Sequence, residues 1–265
     1  MDGLAISPRL LAIAEEIGKL GFQDKIYDIG TDHAYLPLYL LKAGLCGSAT
    51  ATDVSMPSLE RAQRNAAEHG MAGRIDFRLG DGLSAIPDYE AGKPVVMAGI
   101  GGKNLAAIIG RGIGRARSAS MLILQPMHCQ EALREWLFRN GFAINYEKLA
   151  REGNRIYSIL FCTPAGSPPQ QNMPPQYSPQ QHMPQYSPQQ HMPPQYSPEE
   201  VYIGRNVIYG TEDEYRHFLR FTRRKIMNRH GGILAASAEK RLLLKDEEIV
   251  LDQLLKIINN RLESI

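Results

Sequence analysis

The chain has 265 residues, of which 43% are hydrophobic and 22% charged, and its formal net charge is +2 at pH 7. This composition is typical of a globular protein with a sizeable core and excludes a wholly disordered chain. Three cysteines at well-separated positions give no disulfide framework, and we see no signal peptide and no membrane span. We therefore expect a cytoplasmic protein that does not contact a membrane.

Strand and helix patterns alternate along the first 163 residues. A helix is predicted from Arg9 to Leu20, followed by the strand Ile26–Ile29, a turn at Gly30 and an amphipathic stretch from His33 to Ala43. Further strands are predicted at Ser48–Asp53, Ile75–Leu79, Val95–Gly99 and Met121–Leu124, and further helices at Pro57–His69, Asn104–Ile109 and Gln130–Asn140.

Two more strand patterns, Phe142–Ala150 and Arg155–Thr163, follow with no helix between them. The order is therefore five βα units closed by a β-hairpin, which predicts an α/β fold with a mostly parallel sheet covered on both faces. A closing hairpin is typical of the Rossmann-like sheet of S-adenosylmethionine (SAM) methyltransferases and unusual in nicotinamide-binding Rossmann domains.

The composition changes abruptly after residue 163. Residues 164–200 contain a repeated MPPQYSP motif with too few aliphatic residues for a core, which predicts a linker, either a plain spacer or a Pro-rich recognition segment. Residues 201–265 predict a small helical domain, with a capping box at Thr211 and Glu214, a helix from Tyr215 to Arg229 that stops at Gly231-Gly232, and one or two further helices.

Acidic residues follow three of the predicted strands. Asp53 is placed to accept hydrogen bonds from ribose hydroxyls of an adenosyl group, or else caps the helix that starts near Pro57. Asp81 is placed to accept from an adenine amino group, or else is an ordinary turn aspartate. Asp28 and Asp32 flank the Gly30 turn, where carboxylates suit the two positive charges of a bound SAM methionine.

Two histidines in this part of the chain are ambiguous. His33 is either catalytic or a packing residue at a helix start, and the pair His128-Cys129 lacks the spacing of a metal site. We therefore predict no metal.

The fourth strand ends in the sequence AGIGGK at 98–103, whose glycines leave an opening lined by backbone that suits a flipped base.

Positive charge is concentrated in the helical region. No acidic residue lies between Tyr215 and His230, whereas basic residues recur at helical spacing, which predicts a contact with an RNA phosphate backbone or else a solvated face. The predicted RNA contacts are Arg216, Arg220, Arg223, Arg224, Lys225 and Arg229, with Arg111 and Arg115 extending the patch beside the active site.

Five motifs together resemble the bacterial tRNA (adenine(22)-N1)-methyltransferase family over about residues 6–163. They are DIGTDHAYLP (28–37), NAAEHG (65–70), RLGDGL (78–83), GIGG (99–102) and LQP (124–126). The resemblance implies a Rossmann-like SAM domain followed by a helical domain that helps to hold tRNA. Two features depart from the family: Ile100 stands where Met is more common, and the repeat linker has no expected counterpart.

The resemblance also implies a set of site residues. The implied cofactor contacts are Asp28, Gly30, Thr31, Asp32, His33, Asp53, Val54, Asp81, Gly82 and Gly99. The implied catalytic group is Asp32, His33, Gly99, Ile100, Gly101 and Gly102, with the four residues 99–102 facing the target base.

The function predicted from these features is SAM-dependent methylation of N1 of an adenine in tRNA. Because N1 carries a lone pair and no proton at neutral pH, we expect direct in-line transfer with no obligatory general base. The alternatives are a SAM methyltransferase acting on another RNA or a small molecule, and a non-catalytic module that binds SAM and RNA. No obligatory protein partner is evident.

Overall fold

The computed structural model describes residues 4–86, 88–167, 196–204 and 207–265. The strands are β1 (Lys25–Ile29), β2 (Ser48–Asp53), β3 (Ile75–Leu79), β4 (Val95–Ile100), β5 (Leu122–Pro126), β6 (Phe142–Glu152), β7 (Arg155–Pro164) and β8 (Val207–Ile208). The helices are α1 (Pro8–Leu20), α2 (Tyr35–Lys42), α3 (Met56–Glu68), α4 (Gly102–Arg111), α5 (Ile113–Ser118), α6 (Gln130–Arg139), α7 (Pro198–Tyr202), α8 (Glu212–Leu234), α9 (Ala238–Leu243) and α10 (Lys245–Ser264).

The strands form one sheet in the order β3-β2-β1-β4-β5-β7-β6-β8. Strands β1 to β5 are parallel to one another, whereas β7 runs antiparallel to both β5 and β6, so the predicted closing hairpin is confirmed. Strand β8, which follows the linker, adds to the free edge of β6 and was not predicted. The strand order reverses at β1, with β2 and β3 on one side of it and β4 and β5 on the other, and a ligand crevice is expected at such a point, at the carboxyl ends of β1 and β4.

The core follows from the strand sequences. Central strands such as β5 are buried along their whole length, and separate clusters of buried hydrophobic residues cover the two faces of the sheet. A third cluster packs α8 and α10 against each other and against Leu149 on β6. The helical region is therefore anchored to the catalytic sheet through the hairpin. No helix among the described residues is both long and apolar enough to span a bilayer.

The structure corrects the predicted stop at Gly231-Gly232. Helix α8 continues through both glycines to Leu234, because Ile233 is buried in the third cluster and neither glycine takes a positive φ. The capping box of Thr211 and Glu214 is confirmed. The predicted linker is too long at both ends, since Pro164 belongs to β7 and α7 begins at Pro198. The repeats at 168–195 lie outside the described residues.

Candidate active site

The turn after β1 brings backbone and carboxylates together. The N–H groups of Gly30 and Thr31 both donate to the carbonyl of Thr52, at 2.8 and 3.0 Å, and so join the ends of β1 and β2. Gly30, Asp32 and Ala34 all have positive φ, a conformation that is uncommon for the last two residue types. This tight path leaves Asp32 and His33 in the turn before α2, so the helix starts two residues later than predicted.

Asp53 ends β2, and its carboxylate is held by the surrounding backbone. Its Oδ1 accepts from the N–H of Ser55 at 2.9 Å, and its Oδ2 accepts from the N–H of Asp32 at 3.1 Å. Helix α3 is capped instead by Ser55, whose hydroxyl accepts from the N–H of Ser58. The helix-capping role that the sequence left open for Asp53 is therefore wrong, and the carboxylate faces a cavity.

We call this space the Asp53 cavity; it has a volume of about 410 Å³ and lies outside the ends of β1, β2 and β3. Val54 at its edge is an exposed apolar side chain, and the buried hydroxyl of Thr52 on its wall has no hydrogen-bond partner within the described residues. Asp81 lies on the far wall, where Arg111 binds both carboxylate oxygens at 2.7 and 2.8 Å. The cavity thus combines the carboxylates of Asp53 and Asp81 with apolar surface.

A second space, the Arg9 cavity, has a volume of about 470 Å³ and lies on the other side of the Gly30 turn. It is shaped by a bulge in β4 at Gly99, whose φ is +78°. The side-chain oxygen of Gln125 on β5 accepts from the N–H of Gly99 and from Arg9 of α1, both at 3.0 Å. Arg9 also pairs with Glu152 at 3.1 Å, so α1, β4, β5 and β6 are joined beside this cavity. Bulges often re-aim the chain beside active sites.

The two cavities meet at Gly30 and Ile100, which line both. The Ile100 side chain lies directly over Gly30, because a Cβ added at Gly30 would be 2.9 Å from the Ile100 Cδ1 atom. A side chain at position 30 would therefore press on Ile100, and the φ of +76° also favours glycine there. The two cavities are thus neighbours, separated by Gly30 and Ile100.

The buried carboxyl group of Asp28 lies on the Arg9 cavity. Burial raises the pKa of this group to about 6, and the nearby charge of Asp53 acts in the same direction. A hydrogen bond of 2.6 Å donated by the Thr31 hydroxyl opposes the shift. A positive charge placed beside this buried carboxyl group would favour its ionised form.

The sequence matches the family model described as "Methyltransferase domain" over residues 6–160, which is more than half of the chain. The chain belongs to the methyltransferase-domain family. A curated relative, the tRNA (adenine(22)-N(1))-methyltransferase of Bacillus subtilis, is 33% identical over 160 residues. The match covers 60% of this chain and 66% of the length of that relative. The resemblance drawn from the sequence motifs is thereby confirmed.

Solved structures agree with this assignment. A putative tRNA (m1A22) methyltransferase from Streptococcus pneumoniae superposes with a TM-score of 0.70 at 26% identity, covering 95% of this chain and 100% of that one. The same pneumococcal protein in complex with S-adenosyl-L-methionine gives a TM-score of 0.65 at 25% identity, with coverage of 95% and 100%. The predicted Rossmann-like fold with a helical C-terminal region is confirmed.

The methyltransferase domain gathers most of the predicted site residues around its two cavities. The Asp53 cavity is lined by Gly30, Asp53, Val54, Asp81, Gly82 and Ile100. The Arg9 cavity is lined by Asp28, Gly30, Thr31, Asp32, His33, Gly99 and Ile100. His33 stacks on Tyr35 at 5.2 Å, with one ring nitrogen 3.5 Å from the Asp32 carboxylate, so its ring has packing partners as well as access to the cavity.

Gly99 and Ile100 line the cavities, whereas Gly101 and Gly102 line neither of the two, and the prediction that residues 99–102 face the target base stays a prediction. A Cβ at Gly101 would lie 2.5 Å from the His128 ring, and one at Gly102 would lie 2.3 Å from the Cys129 carbonyl oxygen. These glycines are required because the loop after β5 packs directly on the chain. Among the described residues, no group of three or more His, Cys, Asp or Glu side chains is placed to hold a metal.

Sequence reasoning missed Arg9 as a site residue and noted Gln125 only within a motif. A polar residue at the carboxyl end of a buried strand was a usable signal for Gln125, whereas nothing local marks Arg9. Arg111 and Arg115, predicted as RNA contacts, both have partners within the domain. Arg111 binds Asp81, and Arg115 donates to the carbonyl of Leu83 at 2.8 Å.

The predicted basic face of α8 is partly neutralised. Lys225 pairs with Glu131 at 3.0 Å, Arg229 pairs with Glu247 at 2.7 Å, and Arg223 donates to Asn259 at 3.2 Å. Arg216, Arg220 and Arg224 make no ion pair or side-chain hydrogen bond within the part of the chain that is described. The RNA role of this helix stays a prediction, and these three arginines are its best-placed members.

Proposed function

We propose that this chain is a SAM-dependent methyltransferase that methylates N1 of adenine 22 in tRNA. The observation that carries the proposal is the pair of cavities joined at Gly30 and Ile100, one suited to an adenosyl group and one open beside the bulged strand end. The relatives supply the substrate class, because the curated B. subtilis protein and the pneumococcal structure are both described as acting on this tRNA adenine.

The residues of the Asp53 cavity fit an adenosyl group. The Asp53 carboxylate would accept from the ribose hydroxyls, as an acidic residue at the end of the second strand does in related sheets. Val54 would supply an apolar surface for the adenine ring. Asp81 and its partner Arg111 close the far end of the same space.

The carboxylates of Asp28 and Asp32 would face the methionine end of the cofactor, past Ile100. Bound SAM supplies a methyl group on a cationic sulfonium. Asp28 is buried, whereas Asp32 is exposed and pairs with Arg61 at 2.9 Å. A neighbouring positive charge would therefore affect Asp28 more strongly than Asp32, because solvent screens the exposed group. In this arrangement negative charge would lie beside the donor, and the part of the Arg9 cavity next to Arg9 and Gly99 would take the acceptor.

The target adenine would enter the Arg9 cavity, flipped out of any helix because pairing buries N1. There the protein has to orient the base, exclude water and hold negative potential where the ring becomes cationic. The bulge at Gly99, fixed by Gln125, sets the position of the strand end against which the base would rest. No side chain is required to remove a proton, because N1 has none to lose.

Methyl transfer from labelled SAM to unmodified tRNA transcripts tests the proposal. We expect incorporation into a transcript with adenine at position 22, recovery of 1-methyladenosine on nucleoside analysis, and no incorporation when that adenine is replaced by guanine. Incorporation into another nucleotide, or into small molecules only, would favour the alternative methyltransferases. Tight binding of SAM and tRNA without any transfer would favour a non-catalytic module.

The raised pKa of Asp28 predicts how SAM affinity depends on pH. The ionised form attracts the cationic ligand, so affinity is close to full at about pH 7, falls to about half near pH 6, and is lost as the pH falls further and the group takes up a proton. We expect binding to be roughly tenfold weaker at pH 5 than at pH 7, measured by calorimetry, and Asp28→Asn to remove this dependence. An unchanged pH profile in the variant would contradict the assignment.

A second pH series, of the reaction rate, separates the chemical step from SAM binding. With SAM saturating, we expect a single-turnover rate that varies little between about pH 6.5 and 8.5, since no base has to be ionised. A steep rise of the rate with pH that His33→Ala or Asp32→Asn abolishes would show that a base is required.

The cytoplasmic location of the protein stays a prediction.

A further inference from the structure

A third space, which we call the interdomain groove, separates the methyltransferase sheet from helix α8. It has a volume of about 290 Å³. One wall is formed by Met127 and His128, after β5, and by Arg155 at the β6–β7 turn. The other wall is formed by His217, Phe221 and Lys225 of α8. The proposed cofactor and base sites make no use of this groove.

The groove lies one loop away from the proposed target-base site. The N–H of Met127 donates to the carbonyl of Ile100 at 3.0 Å, and the N–H of Gly102 donates to the carbonyl of His128 at 2.8 Å. The His128 ring packs against Gly101, where there is no room for a Cβ. The end of β4 and the loop after β5 thus form two layers. Ile100 in the first layer borders the Arg9 cavity, and Met127 and His128 in the second border the groove.

The chemistry of the lining suits a polyanion. None of the residues that line the groove is acidic, whereas Arg155, Lys225 and two histidines contribute cationic or ionisable groups. Lys225 is oriented by its pair with Glu131 at 3.0 Å, which also balances part of its charge. On the same helix, Arg220 and Arg224 are exposed without an ion pair among the described residues, so positive charge continues outward from the groove.

Phe221 gives the groove an aromatic surface. Its side chain is 48% exposed, whereas Tyr215 and Phe218 of the same helix are buried and belong to a stack of rings. Phe221 makes no ring contact within the described part of the chain. A lone exposed phenylalanine is ordinary on a protein surface, but here it lies in a concave, cationic site. Aromatic faces next to basic groups are the usual means of holding unstacked bases.

We propose that the interdomain groove binds one unstacked nucleotide of the tRNA next to the target adenine. Its base would stack on Phe221, and its phosphate would lie between Arg155 and Lys225. Flipping the adenine removes the stacking partner of its neighbour, and the groove is lined by the same loop, Met127 and His128, that contacts the strand end beside the Arg9 cavity. This inference rests on the proposed function and assigns to the substrate a second contact point.

The test compares Phe221→Ala with Met227→Ala in the full chain, since Met227 is a similarly exposed side chain, at 53%, on the same helix and outside the groove. Affinity for an unmodified tRNA transcript is measured by fluorescence anisotropy, and SAM affinity by calorimetry. Loss of one base stack weakens tRNA binding by roughly 5- to 100-fold in Phe221→Ala, with SAM affinity unchanged. Phe221→Trp restores binding, and Met227→Ala binds as the unmutated protein does.

A salt series distinguishes stacking from phosphate contact. Phe221→Ala leaves the slope of log K against log salt unchanged, whereas Arg155→Gln reduces it by about 1, because only the arginine displaces a counterion. Equal tRNA affinities for Phe221→Ala and Met227→Ala, in a protein whose unmutated form methylates tRNA, overturn the groove proposal and leave the function standing. Failure of the unmutated protein to methylate tRNA is a separate result and overturns the proposed function.

Discussion

Replacing Arg134 with alanine is expected to lower the free energy of unfolding by about 3–5 kcal/mol, the cost of leaving one charge of a buried pair uncompensated. Arg134 on α6 and Glu147 on β6 are both fully buried, and the guanidinium donates to the two carboxylate oxygens at 2.9 and 2.7 Å. The same guanidinium donates to the backbone carbonyl of Val201 in α7 at 3.0 Å. One side chain therefore joins the catalytic sheet to the segment that follows the linker.

Arg139→Ala is the matched control, because Arg139 lies on the same helix and pairs with Glu135 in an exposed i,i+4 arrangement. Its loss is expected to cost about 0.5 kcal/mol or less. Denaturant unfolding followed by the fluorescence of Trp136, the one tryptophan of the chain, measures both variants. The double variant Arg134→Met, Glu147→Leu is expected to lose less stability than Arg134→Ala, since no buried charge remains. Equal stabilities for Arg134→Ala and Arg139→Ala would contradict this account.

The second large effect is expected on SAM binding. Asp53→Ala removes a charged acceptor worth about 1.5–3 kcal/mol, which corresponds to an affinity roughly 10- to 150-fold lower. The fold should survive, because Ser55 and not Asp53 caps helix α3. The orientation of the Asp53 carboxylate is fixed by the protein itself, since the N–H groups of Ser55 and Asp32 donate to its two oxygens.

Asp53→Asn retains one acceptor oxygen and is expected to give an intermediate loss. Asp76→Ala is the control, because Asp76 is an exposed aspartate on the neighbouring strand β3, paired with Arg78 away from both cavities. Calorimetric titration of SAM, with far-ultraviolet circular dichroism as the check of folding, compares the three variants. An Asp53→Ala protein that is folded and binds SAM as tightly as Asp76→Ala would remove Asp53 from the cofactor site.

The local pattern of the sequence was enough to predict the order of strands in the methyltransferase domain and all of its α-helices except α5, Ile113–Ser118. Strand β2 matches its predicted range Ser48–Asp53, and β3 matches Ile75–Leu79. The fold class followed, because buried parallel strands and amphipathic helices carry their periodicity within a few residues. The same local rule placed Asp28, Asp53 and Asp81 at one edge of the sheet, since the carboxyl ends of parallel strands lie together.

Local rules failed where a distant contact decided the outcome. Gly231 and Gly232 predicted the end of a helix, yet α8 continues to Leu234, because Ile233 is buried in the cluster that α8 forms with α10. Lys225 and Arg229 were predicted as RNA contacts, yet each forms an ion pair with a glutamate on another helix, Glu131 of α6 and Glu247 of α10. A charge run within one helix gives no information about acidic groups that tertiary packing brings to it.

By itself the sequence determined the fold class, the family resemblance and the acidic edge of the sheet, because each depends on neighbours in the chain. Only the tertiary structure brought Arg9 to Gln125, 116 residues away, and so fixed the bulge at Gly99 beside the second cavity. It also divided the site at Ile100 and formed the interdomain groove between a loop and a helix. Such contacts depend on how whole elements pack, and no periodicity within an element encodes them.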